Sequence, residues 1–175
     1  MKTSILVILI LGFLSFLIFT CEDTKENESL TLKGELIDHS DCKNNKSTFN
    51  DSETPDSLTC VNYNYDPLNN TLSIQHINAG FNCCPESLYC SVELVNDTIL
   101  IQEFETSALC NCCCLFDLNL ELEGVDVGMY TIKFIEPYCY NEEELIFMVN
   151  FGYQNSGSFC VTRYSYPWNV FSSSS

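Results

Sequence analysis

The sequence has few basic residues, and this shortage limits what the protein can bind. Seven Lys and Arg stand against 24 Asp and Glu among 175 residues, which gives a formal net charge of −17. Nucleic-acid binding depends on cationic side chains that neutralise phosphates, and attraction to anionic lipid headgroups has the same origin. The composition therefore argues against a nucleic-acid partner. An acidic, solvated surface is the favoured interpretation of the excess, and cation binding is the alternative.

Histidines and CxxC pairs are also scarce, which narrows the chemistry that the chain can perform. His39 and His76 are its two histidines, and neither lies beside the cysteine cluster in sequence. Hydrolytic chemistry needs a nucleophile activated by a base, and no local pattern marks either histidine as that base. No CxxC stands at the start of a helix, where a reactive thiolate would be stabilised. We therefore predict a protein that is not an enzyme and that carries no cofactor.

The longest hydrophobic run is too short to cross a bilayer. It extends from Ile5 to Phe19 and follows Lys2, which supplies a positive charge at the N-terminus. A transmembrane helix needs about 20 apolar residues, whereas a shorter run behind a positive charge is typical of a signal peptide. Residues 1–20 are predicted to be such a signal, and an uncleaved N-terminal anchor is the alternative.

The signal ends at a cysteine that could carry lipid. The stretch IFTC, which ends at Cys21, resembles a bacterial lipobox, and residues 21–29 form a polar, mostly acidic tether. A lipid on Cys21 would anchor an exported protein to the outer membrane or cell surface without a transmembrane helix. The alternative is an ordinary secretory signal that releases a soluble, disulfide-rich product. After removal of residues 1–20 the formal net charge is −18, because only Lys2 is lost.

Twelve cysteines in an exported chain predict a disulfide framework. If Cys21 carries lipid, eleven cysteines remain, and because eleven is odd at least one stays unpaired. The disulfide candidates are Cys42, Cys60, Cys83, Cys84, Cys90, Cys110, Cys112, Cys114, Cys139 and Cys160.

The densest cysteine cluster, CNCCC at 110–114, leads into the alternating stretch FDLNLELEG. If that alternation extends backwards, Cys110, Cys112 and Cys114 share the core face of the strand, and Cys113 points the other way. Neighbours on one face of a strand lie about 6.6 Å apart, farther than most disulfides allow, so the cluster needs partners elsewhere. The expected partners are Cys83, Cys84 and Cys90.

Two further disulfides are expected to fasten outer segments, Cys42 with Cys60 and Cys139 with Cys160. A metal site is the alternative use of the cluster, since thiolates suit Zn²⁺ and Cu(I). That site would draw on Cys83, Cys84, Cys110, Cys112 and Cys114.

Period-2 alternation predicts an all-β fold. Eight or nine short strands are separated by turn residues, and no window has the periodicity of an amphipathic helix. The predicted architecture is a disulfide-stapled antiparallel β-sandwich, immunoglobulin-like or fibronectin-like, that forms one domain over residues 30–171. Residues 39–57 are predicted to form a long polar loop, and residues 172–175 a disordered tail.

Three segments together are similar to small, cysteine-rich, uncharacterised lipoproteins of Bacteroidota. They are NCC at 82–84, NDTILIQEFE at 96–105 and CNCCCLFDLNLELEGVDVGMYTIKF at 110–134. The resemblance covers roughly residues 80–135 and implies a fold and a location, but it implies no activity. Cys113 stands where the family pattern has an aliphatic residue.

These observations together predict a non-enzymatic, lipid-anchored protein of the cell envelope that serves as a binding or structural module. Its membrane contact is the lipid on Cys21, and its protein or glycan partner is not specified by the sequence.

Overall fold

The computed structural model describes residues 31–43, 54–107 and 110–167, and these residues form an all-β fold without a helix. The strands are β1 (Lys33–His39), β2 (Leu58–Asp66), β3 (Thr71–Asn82), β4 (Ser87–Val95), β5 (Thr98–Thr106), β6 (Cys113–Glu123), β7 (Met129–Ile135), β8 (Ile146–Asn150) and β9 (Ser156–Thr162). The described ranges contain no helix of the length and hydrophobicity that a bilayer span requires. Residues 1–30, with the predicted signal, Cys21 and tether, and residues 168–175, with the predicted tail, lie outside the described residues.

The strands form two sheets. The five-stranded sheet has the order β1-β6-β3-β2-β9, and the four-stranded sheet has the order β4-β5-β7-β8. Every neighbouring pair is antiparallel except β5 and β7, which are parallel. The prediction of an all-β fold is confirmed, whereas the prediction of purely antiparallel pairing is wrong at β5–β7. The chain leaves β5 and returns by way of β6 in the opposite sheet, and this crossover lets β7 run parallel to β5.

One hydrophobic core lies between the two sheets. Alternation in β6 places Leu118, Leu120 and Leu122 inward, and β5 and β7 supply Ile101 and Phe134 from the facing sheet. Burying a side chain of this size contributes about 1.5–3 kcal/mol relative to leaving it exposed. The tight turn between β4 and β5 contains Asn96 at a φ of 55°, a left-handed conformation that asparagine tolerates.

A β-bulge interrupts the pairing of β3 with β6 and is organised by one buried asparagine. The register shifts between His76 and Ala79, and Asn78 adopts a φ of 63° there. The Asn78 side-chain amide donates to the carbonyls of Pro55 (3.0 Å) and Leu58 (2.7 Å), so the bulge holds the chain that enters β2. Asparagine suits this position because it tolerates a left-handed backbone and supplies polar atoms.

Candidate functional site

Four disulfides connect the sheet edges and loops of the described structure. They join Cys42 to Cys114, Cys60 to Cys160, Cys83 to Cys112 and Cys84 to Cys110. Two of them connect the end of β3 to the segment before β6, so CNCCC is tied mainly to the pair of cysteines that follows β3. The general prediction of a disulfide framework is confirmed.

Several details of the predicted pairing are wrong. Cys160 pairs with Cys60 and not with Cys139, because Cys60 and Cys160 are direct register partners on β2 and β9. Cys42 pairs with Cys114 and not with Cys60, because the bridge of Lys43 to Leu115 places Cys42 beside β6.

The predicted extension of β6 back to Cys110 is also wrong, since the strand begins at Cys113. Cys114 belongs to the core cluster, as the alternation predicted. Cys113 is buried as well, because residues 113–116 are covered on both faces of the strand.

Three cysteines of the described structure are free, namely Cys90, Cys113 and Cys139. Cys90 was a disulfide candidate, and that prediction is wrong, as it is for Cys139. Burial, assisted by the nearby carboxylate of Glu103, raises the pKa of the Cys90 thiol to about 11. Burial and Glu105 do the same for Cys113, raising its pKa to about 11. These two thiols are therefore protonated and unreactive at neutral pH.

All five cysteines named for the metal alternative take part in disulfides. The metal ligand is a thiolate, so this alternative would require reduction of three bridges. Within the described ranges, no group of three or more His, Cys, Asp or Glu residues is arranged to hold a metal ion.

Charged side chains alternate in sign through one end of the core. His76 Nδ1 lies 2.6 Å from Glu103 Oε1, and its Nε2 lies 3.8 Å from Glu136 Oε1. Arg163 Nη2 donates to the second oxygen of Glu136 at 2.5 Å. We name Glu103, His76, Glu136 and Arg163 the buried charge chain, and all four residues are buried. Glu103 and His76 lie on β5 and β3, whereas Glu136 and Arg163 directly follow β7 and β9.

The electrostatics of the buried charge chain follow from its geometry. Burial acts to lower the pKa of His76, but the carboxylates of Glu103 and Glu136 outweigh it and raise that pKa above its usual value. Burial raises the pKa of Glu103, although His76 opposes the shift. The direction of the His76 shift favours the protonated imidazole beside the Glu103 carboxylate, and Arg163 lies against Glu136 at the other end of the buried charge chain.

Tyr166 and Gly80 enclose the buried charge chain at its Arg163 end. The Arg163 guanidinium carbon lies 4.6 Å from the centre of the Tyr166 ring, and the backbone amide of Gly80 donates to the Tyr166 hydroxyl at 2.6 Å. A Cβ at Gly80 would lie 2.7 Å from that ring, so glycine is required there. Burial raises the pKa of Tyr166 well above its ordinary value.

Three polar atoms of the buried charge chain have no hydrogen-bond partner among the described residues. They are His76 Nε2, Glu103 Oε2 and Glu136 Oε1. No local sequence pattern marks His76 or its partners, because the four residues come from separate segments of the chain. In the structure Glu105 accepts from Tyr138 and from the backbone amide of Asn82, and Asp117 pairs with Lys43 at 2.5 Å.

Arg163 connects the buried charge chain to a surface depression. Its Nη1 lies 3.0 Å from Cys139 Sγ, and burial raises the pKa of that thiol, as does Glu136. The depression measures about 310 Å³ and is lined in part by Glu136, Cys139 and Tyr140. A thiol with a raised pKa is a poor nucleophile, so we assign no chemistry to it.

The outer surface of the five-stranded sheet is polar and shallowly grooved. Cross-strand register forms one row of Ser158, Asn62, Gln75 and Asn119, and a second row of Ser156, Asn64, Ser73 and Glu121. The groove has a volume of about 340 Å³, and the Asn62 side-chain amide donates to Gln75 Oε1 at 3.3 Å. We name these two rows the polar face. Most of its side chains are amides or hydroxyls, which both donate and accept hydrogen bonds.

The fold and its surfaces define a disulfide-stapled all-β protein with a polar sheet face and a buried ionic cluster. The chain matches no protein-family model, no curated protein and no solved structure.

Proposed function

We propose that this protein is a non-enzymatic binding module of the cell envelope, anchored by a lipid on Cys21, that presents the polar face to a polyhydroxylated ligand such as a glycan. The polar face carries the proposal. Sugar hydroxyls both donate and accept hydrogen bonds, and so do the amides of Asn62, Gln75 and Asn119. Neighbouring strands lie about 4.8 Å apart, so a ligand that crosses the sheet meets a new polar side chain at each strand.

The position of charge on this face supports a neutral ligand. The carboxylates of this face lie at its β1 side, where Glu121 of β6 is joined by Glu35 and Asp38 of β1, whereas the rows on β2, β3 and β9 carry amides and hydroxyls. An anionic ligand would also be repelled by the net charge of the chain. A neutral glycan avoids that cost.

Four disulfides agree with an exported protein, because such bonds persist in oxidising compartments. We assign the fold to the sandwich class in its immunoglobulin-like or fibronectin-like form. Two sheets around one core support the class. We also propose that the protein is related to the Bacteroidota lipoproteins that its sequence resembles. A secreted, unlipidated product is the alternative form of the molecule, and metal binding through the cysteine cluster is the alternative function.

The experiment is a glycan microarray probed with the exported full chain, followed by calorimetry with the best glycan. The triple substitution Asn62→Ala, Gln75→Ala and Asn119→Ala should reduce affinity at least tenfold, which corresponds to about 1.4 kcal/mol. Gln102→Ala on the opposite sheet is the matched control and should leave affinity unchanged. Failure of every neutral glycan to bind, or equal binding by the triple variant, would reject the proposal.

A further inference from the structure

The outer surface of the four-stranded sheet is unusually apolar for so acidic a chain. Its outward-pointing side chains include six large hydrophobic residues that are at least 38% exposed. They are Tyr89, Val95, Met129, Ile135, Ile146 and Met148, and we name this surface the apolar face. They occupy β4, β7 and β8, and Phe104 of β5 stacks on Tyr89 with ring centres 4.9 Å apart. These hydrophobic side chains are interspersed with Ser91, Thr98, Gln102 and Thr131, and exposed hydrophobic residues grouped on one sheet face favour an interaction site.

The four strands of the apolar face carry few charges at their outward positions. The outward positions of its four strands carry one acid, Glu93, and one base, Lys133. Both are in register with Leu100 of β5, Glu93 on the β4 side and Lys133 on the β7 side. Each therefore lies about one strand spacing, 4.8 Å, from Leu100, on opposite sides of it.

We propose that the apolar face is the interface of a homodimer, with a two-fold axis that lies in the interface, parallel to β5 and over Leu100. Such an axis places Glu93 opposite Lys133 of the second copy, and the converse pair forms at the same time. A two-fold interface must be self-complementary in this way. Elsewhere two copies of the exported chain, each with a formal net charge of −18 without Lys2, repel each other, and on this face the repulsion is replaced by two attractive pairs.

The size of the apolar face sets the strength of the dimer. Four strands at about 4.8 Å spacing and a central strand of nine residues give a face of roughly 500 Å². Two such faces bury about 1,000 Å², which is near the lower limit for a specific interface. We therefore expect a reversible dimer that is favoured where the chain is concentrated, for example on a membrane surface. Lys133 also pairs with Glu144 at 2.8 Å, but exposed pairs of this kind contribute little and do not prevent a new pairing.

The first test is photo-crosslinking of the exported full chain in intact cells. A benzophenone amino acid is placed at Gln102, at the centre of the apolar face, and in a matched control at Gln75, at the centre of the polar face. Irradiation should give a product of twice the chain mass from position 102 and not from position 75. No dimer from position 102, equal dimer from both positions, or a product joined to a different protein would overturn the proposal.

The second test exchanges the two charges. Glu93→Lys and Lys133→Glu, each alone, place like charges opposite each other, and each should reduce the crosslinked dimer about tenfold. Co-expression of the two variants with different tags should restore it, because the lysine introduced at position 93 of one copy then faces the glutamate introduced at position 133 of the other. Glu121→Lys on the polar face is the control and should leave the yield unchanged. Equal yields from the separate and mixed variants would overturn the proposed axis. Dimer formation and glycan binding use opposite faces, so either proposal can fail without the other.

Discussion

At the residue scale, the least predictable feature is the buried charge chain. His76 and Glu103 are 27 positions apart in sequence, and so are Glu136 and Arg163. In a sequence with 24 acidic residues, neither glutamate stands out. The four residues meet only because the two sheets pack face to face. Removing one member would leave an uncompensated buried charge, which costs about 3–5 kcal/mol.

His76 should make the stability of the fold depend on pH. Its pKa is raised in the folded state, so folding binds a proton that the unfolded chain releases above its own pKa of about 6.5. This stabilisation is complete below that value, and it is lost as the pH rises through the folded pKa. Denaturant unfolding at intervals from pH 6 to pH 8 should therefore show falling stability, by at most about 1.4 kcal/mol per pH unit.

The control variants separate His76 from the rest of the molecule. The double variant His76→Gln, Glu103→Gln should be less stable at pH 6 and should lose the slope, because Glu103 alone would keep a pKa raised by burial. His39→Gln, at an exposed position, should keep the slope. The measurements stop at pH 8 because, at higher pH, the raised pKa values of the free thiols also make stability fall with pH. An unchanged slope in the double variant would contradict the assignment.

At the element scale, strands were predictable where side chains alternate without interruption. The run from Phe116 to Glu123 predicts most of β6, and the Asn96-Asp97 pair predicts the β4–β5 hairpin. The order of strands in the sheets was not predictable, because β5 and β7 can pair in parallel only if β6, which lies between them in sequence, joins the other sheet. The disulfide pairing failed for the same reason: Cys60 and Cys160 are 100 positions apart, and only the β2–β9 register aligns them.

The β3 bulge should respond to substitutions of Asn78 in a graded order. Asn78→Gly keeps the left-handed backbone but removes the bonds to the carbonyls of Pro55 and Leu58, which should cost about 2 kcal/mol. Asn78→Ala should cost about 1 kcal/mol more, because alanine also resists a φ of 63°. Denaturant titration measures both losses.

Asn70 provides the comparison for this series, since it has a φ of 54° and its side chain accepts one long bond, 3.4 Å, from Tyr65. Asn70→Gly should change stability by less than about 0.5 kcal/mol, as surface changes usually do. If Asn78→Gly were equally harmless, the bulge would not depend on the side chain of Asn78.

At the scale of the whole molecule, the two sheets present different chemistry to their surroundings. The polar face carries amides and hydroxyls in register, and the apolar face carries hydrophobic side chains with one balanced pair of charges. The strand alternation in the sequence contains both patterns. It could not show that the outward residues of four separate strands form one surface, because that requires the sheet order.

The number of free thiols tests the disulfide framework and the lipid anchor together. The structure uses eight cysteines in four disulfides and leaves Cys90, Cys113 and Cys139 free, so Cys21 is the twelfth. A lipid-modified Cys21 has no thiol, because its sulfur is bonded to the diacyl group. Alkylation of the denatured, unreduced protein should therefore modify three cysteines, and intact mass should show one diacyl group on a chain that starts at Cys21. A secreted, unlipidated product would instead show four modified cysteines if its chain still contains Cys21, or three without added lipid mass if cleavage removes it. Seven or more modified cysteines would show that at least two of the four disulfides are absent. In that case the metal alternative would regain its thiolates, and zinc or copper content would be the next quantity to measure.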